Sequence, residues 1–328
     1  MSANKTILLT GANGFIGTAL CSALLRYGCR LKCVVRRPWN GPKYLDRGRC
    51  EICVVNDKGP DTEWGEVLEG VYAVVHLAGR VHIMLETAKD PLVAFRRVNV
   101  DGTLNLAKAA AMAEVKRFVF VSTIKVLGEA TVDSPFDERT QAAPVDDYAI
   151  SKYEAEIGLK KVSAATGMET VIVRPPLVYG PGVKVNFLRL LKWVQRGIPL
   201  PFSGVVNQRS FVYVENLADA LIRCIECSQA AGETFLISDG EVISTPDLIR
   251  RIAMAMGRPA RLVPCAEWLL KMAAMMTGKQ ETLSRLCGSL VVDSSKASRL
   301  LDWQPPFSLN EGVQDTVDWY LKEGVIRG

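Results

Sequence analysis

The chain has 328 residues, 48% hydrophobic and 23% charged, with 40 Lys and Arg against 35 Asp and Glu, for a net charge of +5. That is enough apolar material for a large core divided into two unequal lobes. The positive charge is spread through Arg36-Arg37, Arg96-Arg97 and Lys160-Lys161 without interleaved aromatics or a long basic run, which argues against a nucleic-acid partner.

In chain order, the apolar run Ile7-Leu8-Leu9 leads into Thr10-Gly11-Ala12-Asn13-Gly14-Phe15-Ile16-Gly17. A strand running into glycines and then a helix predicts a phosphate-binding turn. Gly11 suits the tight turn, Gly14 lets the backbone approach a pyrophosphate, and Gly17 lets helix and strand pack closely. The N–H groups at the helix start would face the anion. Because this strand begins directly after Met1 to Lys5, a signal-peptide reading would remove the turn, and a cytoplasmic location is expected.

Strands are predicted at Ile7–Thr10, Leu31–Val35, Ile52–Val55, Ala73–Leu77, Arg117–Ser122 and Thr170–Val173, with helices near 15–27, 62–69, 92–113 and 148–166. Such alternation predicts an α/β fold with a doubly wound parallel sheet of Rossmann type. The second strand runs into Arg36-Arg37-Pro38, with no acid to repel a 2′-phosphate; this favours NADP(H) and leaves NAD(H) open. Nine cysteines without regular spacing fit a reducing compartment. The pairs Cys50/Cys53 and Cys224/Cys227 could be read as zinc ligands, but they fall in a strand and a helix and are expected to be structural thiols. No His and acid cluster suggests a metal, and none is expected in catalysis.

Phe118-Val119-Phe120-Val121-Ser122-Thr123 is an apolar strand ending in hydroxyls, at the edge where α/β sheets place their chemistry. Tyr148-Ala149-Ile150-Ser151-Lys152 puts a phenol and an ammonium one helical turn apart. A free phenol titrates near pH ~10, so a nearby cation such as Lys152 is expected to favour its ionised form. Together they predict a proton-transfer site. After Pro175-Pro176 the pattern breaks, with Pro and Gly clusters at Pro181-Gly182, Pro199–Pro201 and Pro305-Pro306. Residues 1–175 are therefore expected to form the dinucleotide-binding domain, with 207–239 returning to it, and 176–328 a smaller, less regular substrate lobe. The apolar stretch Trp268 to Met276 contains Lys271 and is too short to span a bilayer, so it reads as a packed helix or an oligomer contact.

The ordered series is more specific than any one motif. His76-Leu77-Ala78-Gly79, Asn99-Val100-Asp101-Gly102-Thr103, the segment Arg174-Pro175-Pro176-Leu177-Val178-Tyr179-Gly180-Pro181-Gly182 and Arg209-Ser210-Phe211-Val212-Tyr213-Val214 follow the glycine turn and the Tyr/Lys pair. Over nearly its full length the chain resembles the extended short-chain dehydrogenase/reductases, the group of nucleotide-sugar epimerases and dehydratases. The resemblance implies that Tyr148 is the acid/base, that Lys152 holds the nicotinamide ribose and tunes Tyr148, and that Thr123 hydrogen-bonds the reacting oxygen. It places Gly11, Asn13, Gly14, Phe15, Ile16, Gly17, Leu77, Ala78, Gly79, Asn99, Ser122 and Pro175 around the dinucleotide, and Asp57 near its adenine. Asn186 and Arg209 would hold the diphosphate of a UDP-sugar. His82, in a loop overhanging the site, is a substrate contact or a hydrogen-bonded loop residue; Lys125 binds substrate or faces solvent. A homodimer through the helices 92–113 and 148–166 is the family expectation.

Departures narrow the chemistry. Dehydratases of this group carry Asp-Glu after the active-site Thr, whereas this chain has Ile124-Lys125, which leaves no acid for the leaving hydroxyl. Hydride transfer at a carbonyl or secondary alcohol needs no such acid. An NADP(H)-preferring member suits net reduction, so the expected activity is a UDP-sugar 4-ketoreductase of bacterial surface-polysaccharide synthesis, on a UDP-4-keto-6-deoxy-N-acetylglucosamine-like substrate. A UDP-sugar 4-epimerase is the alternative. A nonenzymatic NADP-sensing protein is a third reading, against which Tyr148 and Lys152 count.

Overall fold

The computed structural model describes residues 5–39, 41, 48–56, 59–81, 90–265, 272, 275–276 and 280–326. Asp57, His82 and most of Trp268 to Met276 lie outside the described residues.

The main sheet is built from β1 (Thr6–Thr10), β2 (Arg30–Val35), β3 (Cys50–Val54), β4 (Ala73–His76), β5 (Arg117–Val121), β6 (Glu169–Arg174) and β9 (Thr234–Leu236). These seven strands lie in the order β3-β2-β1-β4-β5-β6-β9. Every neighbouring pair in it is parallel. The order reverses between β1 and β4, and such a switch point opens a crevice at the carboxyl ends of the strands.

Alternation within strands builds the two faces. Ile7, Leu9, Val75, Val119 and Val171 join a core completed by helices α1 (Phe15–Arg26) and α7 (Val214–Glu226) through Leu20, Leu24, Leu217 and Leu221. Leu8, Val34, Val74, Phe118 and Phe120 point the other way, against Leu68 of α2 (Gly65–Leu68), Leu106 and Ala110 of α4 (Gly102–Met112), and Ala155 and Leu159 of α5 (Asp147–Thr166). The same period separates the cysteine pair of β3. Cys50 packs toward the first core and Cys53 lies in the second, so the two thiols cannot share a metal.

The helix expected over 92–113 is two helices, α3 (Pro91–Arg96) and α4, joined by a π-helical turn Arg97–Asp101. The wider turn carries Asn99, which is buried and braces three segments. Its Oδ1 accepts from the Arg80 amide at 2.7 Å, and its Nδ2 donates to the Arg80 carbonyl at 3.0 Å and to Ser151 Oγ at 2.9 Å. Periodicity along the chain cannot register this one-residue shift, because flanking apolar positions on both sides stay in phase with a helix.

A second sheet is formed by β7 (Leu177–Tyr179), β8 (Arg209–Tyr213) and β10 (Val242–Ile243), in the order β10-β8-β7. Its core includes Tyr179, Phe187, Leu190, Phe211 and Tyr213, with Phe187 and Leu190 from α6 (Val185–Gln195) and Leu248 and Ile252 from α8 (Thr245–Ala255). Phe15 and Ile16 of α1 also pack against this core, so the first turn of α1 lies where the two cores meet. Among the described residues no helix is long and apolar enough to cross a membrane.

Gly17 is the most constrained position of the turn. A Cβ there would lie 2.1 Å from the Gly11 carbonyl oxygen and 2.9 Å from two backbone atoms of Ala12. Backbone cannot rotate aside as a side chain can. Gly17→Ala is therefore expected to destabilise the protein by about 3 kcal/mol or more, read by chemical denaturation; a change within about 0.5 kcal/mol would show that α1 can move off β1 without cost.

Candidate active site

The glycine turn closes on itself through Gly14 N to the Gly11 carbonyl at 2.9 Å, with Gly11 at φ +71. Gly14 caps α1 without any side chain, and no acidic residue occupies its first turn. A Cβ on Gly14 would meet only the Gly11 carbonyl, at 3.1 Å, so its outer side is open to a ligand. Bare N–H groups beside that space suit a pyrophosphate. Gly182 of the Gly-Pro-Gly segment sits over this turn, its Cβ position 3.5 Å from the Phe15 ring.

Next door, β4 ends in His76, buried between Thr10 Oγ1 at 2.7 Å from Nδ1 and Thr103 Oγ1 at 3.1 Å from Nε2. It is a structural histidine, buried within its strand. Thr10 Oγ1 also accepts from the Ala78 amide at 3.1 Å, which fixes the turn Leu77-Ala78-Gly79 beside the glycine turn. At the end of β2, Arg36 and Arg37 are both exposed.

Strand β5 delivers Ser122 and Thr123. Ser122 is buried, and its Oγ has no hydrogen-bond partner among the described residues. A buried hydroxyl left unpaired carries a desolvation cost that a bound hydrogen-bonding group would remove. Thr123 Oγ1 caps the short 3-10 turn Ile124–Val126, accepting from the Lys125 amide at 3.3 Å, and remains half-buried. The Pro175 carbonyl accepts from the Ile124 amide at 3.0 Å and so ties the ends of β5 and β6 together.

Helix α5 carries the Tyr/Lys pair in its first two turns. Asp146 is its N-cap, with Oδ1 accepting from the Ala149 amide at 2.7 Å. Tyr148 packs edge-on against Phe95 of α3 at 6.3 Å between ring centroids, and the Arg80 guanidinium lies 5.5 Å over the same Phe95 ring. Lys152 is buried at 3% exposure, its ammonium 3.9 Å from the Phe120 ring centroid. One turn further, Glu156 makes a buried two-point ion pair with Arg174, Nε to Oε1 at 3.0 Å and Nη2 to Oε2 at 2.5 Å.

These surroundings act on the pair in an unexpected sense. Burial and then the Asp146 carboxylate push the Tyr148 phenol above its ordinary range. Burial pushes Lys152 down to about 7, against the opposing pull of Glu156. The lowering of the phenol expected from Lys152 is therefore not found: burial and Asp146 raise Tyr148, and burial lowers Lys152 against the pull of Glu156. Asp146 is legible as an Asp preceding a helix, whereas Glu156 is singled out only by its contact with Arg174.

The remaining residues singled out in the sequence divide. Lys125 neither reaches into open space nor faces solvent: its ammonium pairs with Asp146 and with Glu129 Oε1 at 2.9 Å. Asn99 spends both amide hydrogens on the brace described above. Arg209 donates from Nη1 to the Gly288 carbonyl at 3.0 Å, and Asn186 is half-buried in the first turn of α6, following Val185 in the left-handed region at φ 55. Asn13 is exposed on the glycine turn. The open Gly14 surface, the unpaired Ser122 hydroxyl and the Lys152 ammonium fit a dinucleotide whose diphosphate lies on α1 and whose far ribose reaches α5.

A family model described as NAD dependent epimerase/dehydratase family matches residues 7–238, which take in the glycine turn, Thr123, Tyr148, Lys152 and Arg209. The chain belongs to this family. It is 41% identical to a UDP-glucose 4-epimerase of Vibrio cholerae over 321 residues, 97% of this chain and 96% of that relative. Its fold is similar to that of UDP-glucuronic acid 4-epimerase from Bacillus cereus in complex with NAD, at TM-score 0.78 and 23% identity, covering 97% and 96% of the two chains. A UDP-N-acetylglucosamine 4-epimerase from Methanobrevibacter ruminantium, in complex with UDP-N-acetylmuramic acid, has TM-score 0.79 and 19% identity, covering 98% and 99%. As a family member the chain is an enzyme of the extended short-chain dehydrogenase/reductase type.

Lys152 gives a test independent of substrate. Its ammonium is penalised in the folded state, so the folded chain releases the proton near pH 7 and the unfolded chain near its ordinary 10.5. Between those values the unfolded state binds more protons, and stability rises with pH. Lys152→Met should therefore be stabilising at and below neutral pH, with the gain fading as pH climbs toward about 10. Melting temperatures of both proteins over that range check it, and a pH-independent difference would refute the burial penalty.

Proposed function

We propose that the protein is an NADP(H)-linked oxidoreductase acting at C4 of a UDP-sugar, working as a 4-ketoreductase. The observation that carries this reading is the pair Arg36 and Arg37, exposed directly after β2 where NAD-specific relatives need an acid. Guanidinium groups there can take the 2′-phosphate in charge-assisted hydrogen bonds and stack on adenine. A cofactor drawn from the cell's reducing pool suits net reduction.

When bound, the nicotinamide supplies the hydride at C4. The rest falls to the chain. Tyr148 donates its proton to the C4 oxygen as that oxygen gains charge, and the elevated phenol keeps the proton available at neutral pH. Thr123, at the end of β5, supplies a second hydrogen bond to the same oxygen. Lys152 holds the ribose hydroxyls, whose hydrogen bonds would compensate its burial. Asn186 and Arg209 lie on the second lobe's side of the site and take the diphosphate. Dehydration is disfavoured, because the two positions where dehydratases carry acids hold the buried Ile124 and Lys125, and the neighbouring carboxylates Asp146 and Glu129 are engaged by Lys125. The exposed Val93, Met112 and Ile157 on α3 to α5 support pairing of two copies through this face.

A second reading, UDP-sugar 4-epimerisation, is favoured by the name of the Vibrio cholerae relative. The two are separated by supplying a UDP-4-keto-6-deoxy-N-acetylhexosamine with NADPH, and separately UDP-glucose with NAD. Gain of two hydrogens by the keto sugar with stoichiometric NADPH oxidation supports the reductase; interconversion of UDP-glucose and its C4 epimer without net cofactor turnover supports the epimerase. In either case Tyr148→Phe should lower kcat by about 10²–10⁴-fold while leaving cofactor affinity nearly unchanged. Activity within about threefold of wild type would exclude Tyr148 as the acid/base.

The cofactor assignment has its own test. Arg36→Ala combined with Arg37→Ala should weaken NADPH binding by about 1.5–3 kcal/mol and leave NADH nearly unaffected, since only NADPH offers the extra phosphate. Isothermal titration showing equal losses for both would overturn it.

A further inference from the structure

Thr123 and Tyr148 stand on different elements, one at the end of β5 and one in the first turn of α5, and a shared target oxygen requires the two hydroxyls to keep a fixed separation. Lys125 is the residue that joins those elements. Its amide donates to Thr123 Oγ1 at 3.3 Å. Its ammonium pairs with Asp146 Oδ2 and, at 2.9 Å, with Glu129 Oε1; Lys125 and Asp146 are half-buried and Glu129 is exposed. The other oxygen of the same Asp146 carboxylate accepts from the Ala149 amide at 2.7 Å, one residue past Tyr148. One carboxylate thus receives both the helix start and the lysine.

We propose that Lys125 is a positioning residue, clamping the first turn of α5 to the end of β5 and screening the Asp146 charge from the Tyr148 hydroxyl. This rests on the acid/base role given to Tyr148 above. It assigns a use to the position where dehydratases carry an acid, and it accounts for a cation there that does not reach the substrate side.

The electrostatic half follows from the neighbours of Tyr148. Burial first and the Asp146 carboxylate second push the phenol up. Asp147 is the other acid in the first turn of α5 and lies near enough to Arg96 to act on it, Glu129 shares the Lys125 ammonium, and the cations around the start of α5 have partners of their own. Arg80 lies over Phe95, Arg96 of α3 pairs with Glu154 at 2.5 Å, and Arg97 of the π turn meets Asp61 at 3.6 Å. From β6, Arg174 is held by Glu156, and on α5 itself Lys152 faces Phe120. Of these cations, Lys125 is the one whose ammonium contacts the Asp146 carboxylate. Without it, the carboxylate would act on the phenol more strongly and the ionised form would be reached only at higher pH.

The test uses Lys125→Met, Lys125→Arg, Asp146→Asn and Tyr148→Phe in the full chain, assayed by whichever of the two turnovers above the wild type supports. For Lys125→Met, kcat should fall about tenfold to a hundredfold with KM little changed, and the limb of the kcat profile governed by Tyr148 should move to higher pH by about one pH unit. Lys125→Arg should restore both. Asp146→Asn keeps a helix cap of nearly equal strength and should move the limb to lower pH. The proposal is overturned if Lys125→Met raises KM with the limb unmoved, which would make Lys125 a substrate contact. It is equally overturned if the melting temperature falls and no variant moves the limb, which would make the pair a stabilising contact alone. Retained turnover in Tyr148→Phe overturns the acid/base reading instead, whatever Lys125 does.

Discussion

The close approach of α1 to the end of β1 sets the rest of the molecule. Because Gly17 has no Cβ, the helix can lie against the Gly11 carbonyl, and that contact aims the free N–H groups of its first turn at the crevice between β1 and β4. The same turn of α1 touches both hydrophobic cores through Phe15 and Ile16. A diphosphate held there would sit between the dinucleotide sheet and the smaller sheet of β7, β8 and β10. The site is consequently a property of the seam between two cores, and Gly182 brings the second lobe's chain down onto it.

Helix α5 carries buried charge at Lys152 and Glu156. A lysine at 3% exposure above a phenyl ring is a costly group to retain, and its cost makes sense where a ligand's hydroxyls complete its hydrogen bonds. Glu156 and Arg174 sit one turn below as a neutralised pair, so α5 is anchored to β6 at its middle and, through Asp146 and Lys125, to the end of β5 at its start. Asn99 adds a third brace by joining Ser151 of α5 to Arg80 after β4. Tyr148 thus stands on a helix held at several points, which suits the proton transfer proposed for it.

Much of this architecture is legible in the order of residues. Strand runs of β-branched residues alternating with helical patterns place the six strands from β1 to β6 within a few residues and imply their parallel order. The glycine spacing marks the turn before α1, and the Tyr148/Lys152 spacing marks one face of α5. Local signals suffice here because backbone geometry and hydrophobic period act over a few residues. The π turn at Arg97–Asp101 is invisible for the same reason, since it changes the register of a helix without changing its apolar pattern.

By itself, the sequence determined the family and the doubly wound sheet and singled out Tyr148 and Lys152 as neighbours on one helical face, because each depends on a short motif or a period. Tertiary structure alone decided which charges meet. Lys125 and Asp146 are 21 residues apart, Glu156 and Arg174 are 18 apart, and neither pairing has a period to announce it. Those contacts exist because β5, β6 and α5 converge at one end of the sheet. Electrostatic partners are set by distance in space, and only packing of the whole sheet brings those distances about.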